Sequence, residues 1–203
     1  MQVSEKDLVE VNGKAVRPVE SKIILAYNKP VGVTCTEKDV HAARTIHQAL
    51  RYPTRLTYAG RLDRDSEGLL IMTNDGDLIQ RMMKGSAGHE KEYVVKVNKP
   101  VTQEFLNGMS QGVYLKELDT TTRPCKLEMK GKYTFHIVLT QGLNRQIRRM
   151  CQYFGYEVVS LRRIRVLNIE LGNLTSNQYR ELTVEERTKL YELCGMRQPH
   201  RNS

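Results

Sequence analysis

The run Gly68-Leu69-Leu70-Ile71-Met72-Thr73, closed by Asn74-Asp75-Gly76, reads as a buried strand. It constrains the chain because the segment feeding it, Gly60-Arg61-Leu62-Asp63-Arg64-Asp65-Ser66-Glu67, is densely charged. A carboxylate set among arginines is thereby delivered to the end of a core strand. Nearby positive charge favours the ionised carboxylate, the form that can attack or deprotonate a sugar. Taken alone, the segment is also an ordinary charged turn with surface ion pairs at Asp63 and Asp65. Asp65 lies two positions after Asp63, on the same side if the segment is extended, which leaves a two-carboxylate glycosidase open.

Around this strand the patterns are mixed. Ile23 to Tyr27 is a strand ending at the turn Asn28-Lys29-Pro30-Val31-Gly32, and His41 to Arg51 is a helix with Ala42, Ala43, Ile46, Ala49 and Leu50 inward. Asp77 starts a helix through about Met83, Glu92 to Val97 is a strand, and Thr102 caps a helix to about Met109. Cys125, Leu127 and Met129 alternate inward before a Lys130-Gly131-Lys132 turn, and Tyr133, Phe135, Ile137 and Leu139 alternate after it, which predicts a hairpin. Ile164 to Leu171 is a further strand whose apolar phase shifts between Val166 and Leu167, as a bulge would cause. Thr183 and Glu186 form a capping box for a last helix ending near Gly195. The expectation is an α+β domain over residues 21–195 with a mostly antiparallel sheet, then a frayed tail over 196–203. Before it, Leu8 to Val16 alternates around Asn12-Gly13, the strongest short hairpin signal, so residues 1–20 read as a separate piece.

A formal net charge of +9 favours a polyanionic partner. Much of the surplus is local, since residues 144–165 carry Arg145, Arg148, Arg149, Arg162, Arg163 and Arg165 against one acid, Glu157. Within the predicted helix from about Asn144 to Phe154, Ile147, Met150, Cys151 and Phe154 form a core stripe. Arg145, Arg148, Arg149 and Gln152 take the opposite face, and Asn144 suits the helix cap. Cys35, Cys125, Cys151 and Cys194 show no paired spacing and read as buried thiols of a cytosolic protein. No metal or cofactor motif is present. The early apolar run Ile23 to Tyr27 is too short for a signal peptide or a membrane span, so the expectation is a soluble, cytoplasmic chain.

Two further segments bear on Asp63. Glu90-Lys91-Glu92-Tyr93-Val94-Val95 opens a strand with a tyrosine, and Gln141-Gly142-Leu143-Asn144-Arg145-Gln146-Ile147-Arg148-Arg149-Met150 joins a turn to the arginine-rich helix. In this order and at these separations, the three segments resemble the RsuA-type pseudouridine synthases, over about Tyr27 to Leu193. The resemblance implies a curved mixed sheet flanked by helices with the active-site cleft across its middle. It implies isomerisation of uridine in structured RNA, most of all 23S ribosomal RNA, with 16S ribosomal RNA or transfer RNA as alternatives. No cofactor is needed for that reaction, and a monomer is expected. Asp63 takes the place of the essential aspartate, acting on the ribose as nucleophile or base. Tyr93 takes that of the tyrosine stacked on the target base, and Arg148 that of the basic residue paired with the aspartate. Arg61 fits the arginine that fills the space of the extruded nucleotide, and Ile147 packs beside the pocket. Arg145, Arg149, Arg162, Arg163 and Arg165 are left as candidate phosphate contacts. The N-terminal hairpin resembles the last hairpin of the S4-like RNA-binding domain that commonly precedes this catalytic domain. The helical front half of that domain is absent from this sequence, which bears on affinity and target choice. A non-catalytic RNA-binding or ribosome-assembly protein retaining the fold is the competing class, and the trio Asp63, Tyr93 and Arg148 argues against it because binding alone does not require it.

Overall fold

In the computed structural model, residues 9–11, 14–16, 21–36 and 44–198 are described. Two short strands, Val9–Val11 and Lys14–Val16, pair antiparallel with Val9 opposite Val16, as a hairpin would; its Asn12-Gly13 turn lies outside the described residues. The remaining principal strands are β1 (Ile24–Lys29), β2 (Glu67–Thr73), β3 (Lys91–Val97), β4 (Lys126–Gly131), β5 (Thr134–Leu139), β6 (Val158–Val166) and β7 (Tyr179–Glu181). The helices are α1 (Ile46–Leu50), α2 (Gly76–Met83), α3 (Gln103–Ser110), α4 (Gln146–Tyr153) and α5 (Val184–Leu193).

The strands join one nine-stranded sheet in the order β7-β1-β2-β6-β3-β5-β4, with the short strands Thr57–Tyr58 on β2 and Ile169–Glu170 on β6. Every neighbouring pair is antiparallel except β2 with β6, so the mostly antiparallel reading holds and the exception lies at the centre. That seam is short, pairing Arg162 with Glu67 and Arg163 with Gly68. Backbones approach so closely there that a Cβ on Gly68 would sit 2.7 Å from the Arg163 nitrogen and closer still to its carbonyl oxygen. Gly68 also has a φ of 113°, which L side chains rarely adopt.

The continuous apolar character of β2 follows from burial on both faces. Leu69 and Ile71 join Ile24 and Ala26 of β1 under α2 and α5, while Leu70 and Met72 join Leu25 and Tyr27 against α1. A third cluster unites Val95, Phe135 and Ile137 of the sheet with Phe105 of α3 and Met150 of α4. Tyr93 packs against this cluster and against the α1 cluster, at the junction between them.

Local chemistry sets the helix bounds. Asp75 and Thr102 cap α2 and α3, accepting from Leu78 N at 3.2 Å and Phe105 N at 3.1 Å. The expected Thr183–Glu186 capping box is present on α5. The early helix is shorter than expected: Thr45 and Gln48 form a capping box, so α1 begins at Ile46, and Ala42 and Ala43 lie outside the described residues. Three further expectations are corrected. The phase shift at Val166 is a tight turn rather than a bulge, because Leu167 adopts a φ of 53° and Ile169 folds back on Val166. Met129 and Tyr133 are exposed, because β4 is an edge strand and Tyr133 lies in the turn itself. Of the expected tail, residues 196–198 are tied to α5, with Met196 N bonded to Tyr191 O at 2.8 Å and Gln198 to Thr188 Oγ1 at 2.6 Å, and 199–203 lie outside the described residues.

Candidate active site

A cleft of about 490 Å³ opens beside the central seam. Its walls are the Gly60–Asp63 segment with Ser66, the end of α2, Lys91 and Tyr93 of β3, the loop from Leu139 into α4, and Leu161 and Arg163 of β6. Period-two alternation explains the β contributions: Lys91 and Tyr93 share one face of β3, and Leu161 and Arg163 one face of β6.

Asp63 stands on a tight turn whose backbone is fixed on several sides. Its carbonyl accepts from Ser66 N at 3.0 Å, and the Arg64 carbonyl accepts from Gly32 N at 2.7 Å. Beneath the turn, the buried Lys29 donates to the carbonyls of Pro30 at 2.7 Å and Val33 at 2.8 Å, shaping the segment that holds Gly32. Burial pushes the Lys29 pKa down to about 8, against the pull of Cys35, Asp63, Asp65 and Glu67.

Three arginines complete the support. Arg163 is buried and spans both ends of the loop, Nε donating to Leu69 O at 2.8 Å and Nη1 to Arg61 O at 3.4 Å. Arg148 holds the middle through Nη2, donating to Asp65 O at 3.0 Å and Ser66 Oγ at 3.3 Å. Arg145 grips the Asp65 carboxylate with two bonds of 3.0 and 2.8 Å and brings Nη1 to 3.7 Å from Asp63 Oδ2. The Arg145 bond holds Asp65 below the usual carboxylate range. Asp65 is therefore spoken for by a guanidinium, and Asp63 is the only carboxylate among the described residues that line the cleft.

The expected residues thus divide. Asp63, Tyr93, Arg61, Arg145 and Ile147 meet in the cleft. Arg61 is exposed there, its guanidinium carbon 6.0 Å from the Tyr58 ring centroid. The expected Arg148–Asp63 pair is corrected: Arg148 reaches the Asp65 and Ser66 side of the turn, and Arg145 is the guanidinium within ion-pair range of Asp63. Asn144 is not the α4 cap. Arg145 occupies that position with a φ of 50°, and Asn144 instead accepts from Arg149 through its carbonyl at 3.0 Å and its side chain at 2.9 Å. Arg149 is thereby turned out of the cleft. Of the cluster on β6, Arg163 is internal scaffolding rather than phosphate-facing. Arg165 is engaged by Glu90 at 3.0 Å, and Arg162 is exposed on the opposite sheet face. Sequence reasoning missed Lys91, Leu161 and Ser66 as site residues. The signal for Lys91 was present, two positions before Tyr93 on the same strand face. Among the described residues no cysteine lines the cleft, and burial pushes the Cys125 thiol up to about 11 and Cys151 to about 12.

Comparison with known proteins fits this geometry. The family model for RNA pseudouridylate synthase matches residues 23–153. The dual-specificity RNA pseudouridine synthase RluF of Escherichia coli (strain K12) is 43% identical over 194 residues, covering 95% of this chain. This chain spans 66% of the length of that relative, just under two thirds. Ribosomal large subunit pseudouridine synthase B of Bacillus subtilis (strain 168) is 35% identical over 199 residues, covering 96% of this chain and 81% of the relative. A crystal structure of a pseudouridylate synthase superposes with a TM-score of 0.79 at 30% identity, covering 94% of this chain and 83% of that one. With the family model matched over residues 23–153, relatives of this similarity and a sheet that superposes on that of a pseudouridylate synthase, the chain belongs to the RNA pseudouridylate synthase family.

Proposed function

We propose that this chain isomerises uridine to pseudouridine in structured RNA, with 23S ribosomal RNA as the substrate class and Asp63 as the catalytic carboxylate. The observation that carries the reading is the isolation of Asp63 as the cleft's carboxylate, opposite Tyr93 and within 3.7 Å of Arg145. A two-carboxylate glycosidase is disfavoured on the same ground, because Asp65 is occupied by Arg145 and lies off the cleft wall. The large-subunit preference rests on the relatives, one of which is named for the ribosomal large subunit. The net charge of +9 suits the polyanion.

In this mechanism the target uridine leaves its stack to reach the cleft, and the exposed Arg61 fills the vacated space. Tyr93 takes the base on its ring, with Ile147 and Leu161 as apolar neighbours. Asp63 acts on the ribose as nucleophile or base while the bond between C1′ and N1 breaks. The base turns in place and C5 joins C1′, so one proton leaves C5, one is gained at N1, and no redox change occurs. Arg148 and Arg163 keep the Asp63 turn in position and do not touch the substrate. The strand pair at Val9–Val16 belongs, in this reading, to an S4-like RNA-binding unit that contacts RNA flanking the target. The enzyme acts as a monomer in the cytoplasm.

Ribosomal RNA transcribed with uridine tritiated at C5 tests the proposal, because isomerisation releases that tritium to water. The wild type releases it, and Asp63→Asn releases none while binding the RNA within about three-fold of wild type. Release by Asp63→Asn at the wild-type rate rules out Asp63 as the reacting group.

A further inference from the structure

The cleft contains a cation that the reading above leaves unused. Lys91 lies on the same face of β3 as Tyr93, two residues away, with its neighbours across the sheet being Leu139 and Val166. Two residues of strand span roughly 7 Å, within reach of a lysine stem, so the ammonium can meet the edge of a base lying on the Tyr93 ring. Among the described residues no carboxylate lies within ion-pair distance of Lys91, and its ammonium makes no hydrogen bond. The two acids beside it in sequence are drawn elsewhere, Glu90 and Glu92 both facing Arg165.

The charge that bears on Lys91 is another cation. Arg163 stands beside it on β6, and the Nη2 atom of this buried guanidinium has no hydrogen-bond partner. Burial and Arg163 both push the Lys91 pKa down. Two cations, half-buried and buried, with no carboxylate within ion-pair distance of either among the described residues, form a site in want of negative charge. Surface lysines with a solvated face have no such neighbour and no such cleft.

We propose that Lys91 binds the uracil as an anion at the moment its bond to the ribose is broken, with Arg163 behind it reinforcing the positive field. The proposal rests on the pseudouridine synthase reading and names the group that stabilises the leaving base. When the C1′–N1 bond breaks, its electron pair departs with uracil, whose single negative charge spreads over N1, O2 and O4. Asp63 meets the electron-poor sugar, as an ester to C1′ or by taking a proton from it. When C5 bonds to C1′, the ester bond to Asp63 breaks or Asp63 returns the proton it took from the sugar; C5 then loses its proton and N1 gains one, so atoms and electrons balance without a further reactant. Fixed positive charge aimed where negative charge develops is the form of stabilisation that a half-closed site supplies best. Lys91 must be protonated for this role. Because its pKa is lowered, the rate falls as pH rises through that value. The charged and titratable groups that line the cleft with it are Arg163 on β6, Tyr93 on its own strand, Lys84 and His89 between α2 and β3, and Arg61, Asp63 and Arg145.

Single-turnover tritium release at saturating enzyme, measured from about pH 6 up to the ordinary lysine value of about 10.4, below which the lowered Lys91 titrates, tests this with Lys91→Met and Lys91→Arg. Lys91→Met keeps the stem and removes the charge. Its rate falls about 10²-fold, on the scale of losing one such stabilising group, RNA affinity stays within about three-fold, and the alkaline fall-off disappears. Lys91→Arg restores at least about a tenth of the wild-type rate and stays flat toward high pH, since guanidinium does not titrate there. A Lys91→Met rate within about three-fold of wild type overturns the proposal. So does a Lys91→Arg profile that keeps the wild-type alkaline limb, a readout that stands even if Lys91→Met fails to fold. Absence of tritium release by the wild type overturns the pseudouridine reading and the assignment with it, whereas an active wild type with indifferent Lys91 variants overturns the assignment alone.

Discussion

Gly68→Ala is expected to be the most damaging single methyl that can be added to this protein's seam. Two costs combine. The φ of 113° places an L residue in an unfavourable backbone region, at about 1–2 kcal/mol. The new methyl also meets the Arg163 backbone, 2.7 Å from its nitrogen, and backbone cannot swing aside as a side-chain end can. Overpacking of that kind costs about 1–3 kcal/mol, for a total of about 2–5 kcal/mol. Urea unfolding followed by circular dichroism measures it, and at a slope of about 2 kcal/mol per molar the midpoint falls by about 1–2.5 M. Two companions separate the costs. Gly32→Ala carries a φ of 92° with nothing within 4 Å of the new methyl, so it shows the backbone cost alone. Gly142→Ala has neither a positive φ nor a neighbour within 4 Å and stays within about 0.5 kcal/mol of wild type. Whatever Gly68→Ala protein remains folded loses turnover as well, because Arg163 cannot shift without releasing Leu69 and Arg61, the two ends of the Asp63 loop. A midpoint shift for Gly68→Ala no larger than that of Gly32→Ala refutes the close-approach reasoning.

Arg145→Ala should cost at most about 1 kcal/mol at neutral pH, given the exposure of its pair with Asp65. Asp65 is held below its ordinary pKa, so this stabilisation is present above that ordinary value and is lost as pH falls through the folded one. Urea midpoints of wild type and Arg145→Ala therefore converge in acid, and a constant difference down to about pH 2 contradicts the pairing. Arg148→Ala frees the middle of the Asp63 turn and lowers turnover at least about ten-fold with RNA affinity near wild type, while Arg148→Lys, able to reach the Asp65 carbonyl, keeps part of the activity; unchanged turnover removes Arg148 from the site's support. Arg162→Ala, on an exposed side chain, weakens RNA binding and reduces the salt slope by about one, whereas Arg165→Ala does less because Glu90 already engages it. Equal slopes for the two variants contradict that division.

Much of the architecture was legible because its signals are local. Thr102 and the Thr183–Glu186 pair announce helix starts through side-chain chemistry a few residues long, and Phe135, Ile137 and Leu139 announce a strand through strict alternation. The cleft's membership was legible in part through the spacing of Asp63, Tyr93 and Ile147 in recognisable segments. What escaped depends on tertiary partners. Arg163 looks like a phosphate ligand in sequence, and only the seam with β2 reveals that the side chain is buried, with Nε and Nη1 donating to the carbonyls of Leu69 and Arg61. Asn144 has the right side chain for a cap, yet the left-handed backbone at Arg145 redirects it to Arg149. Met129 alternates correctly but lies on an edge strand, so its periodicity carries no information about burial. The exchange of Arg148 for Arg145 beside Asp63 turns on which side of a tight turn each helix position faces, a matter of a few ångströms that spacing cannot specify.

Nucleotide-resolution pseudouridine mapping decides the central claim, applied to all stable RNAs of cells lacking the gene and resupplied with wild type or Asp63→Asn. At least one uridine in 23S ribosomal RNA is expected to lose its modification with the gene, regain it with the wild type and stay unmodified with Asp63→Asn. If no position in any stable RNA depends on the gene, or if Asp63→Asn restores the modification as well as the wild type does, then Asp63-dependent pseudouridine formation is not what this cleft performs.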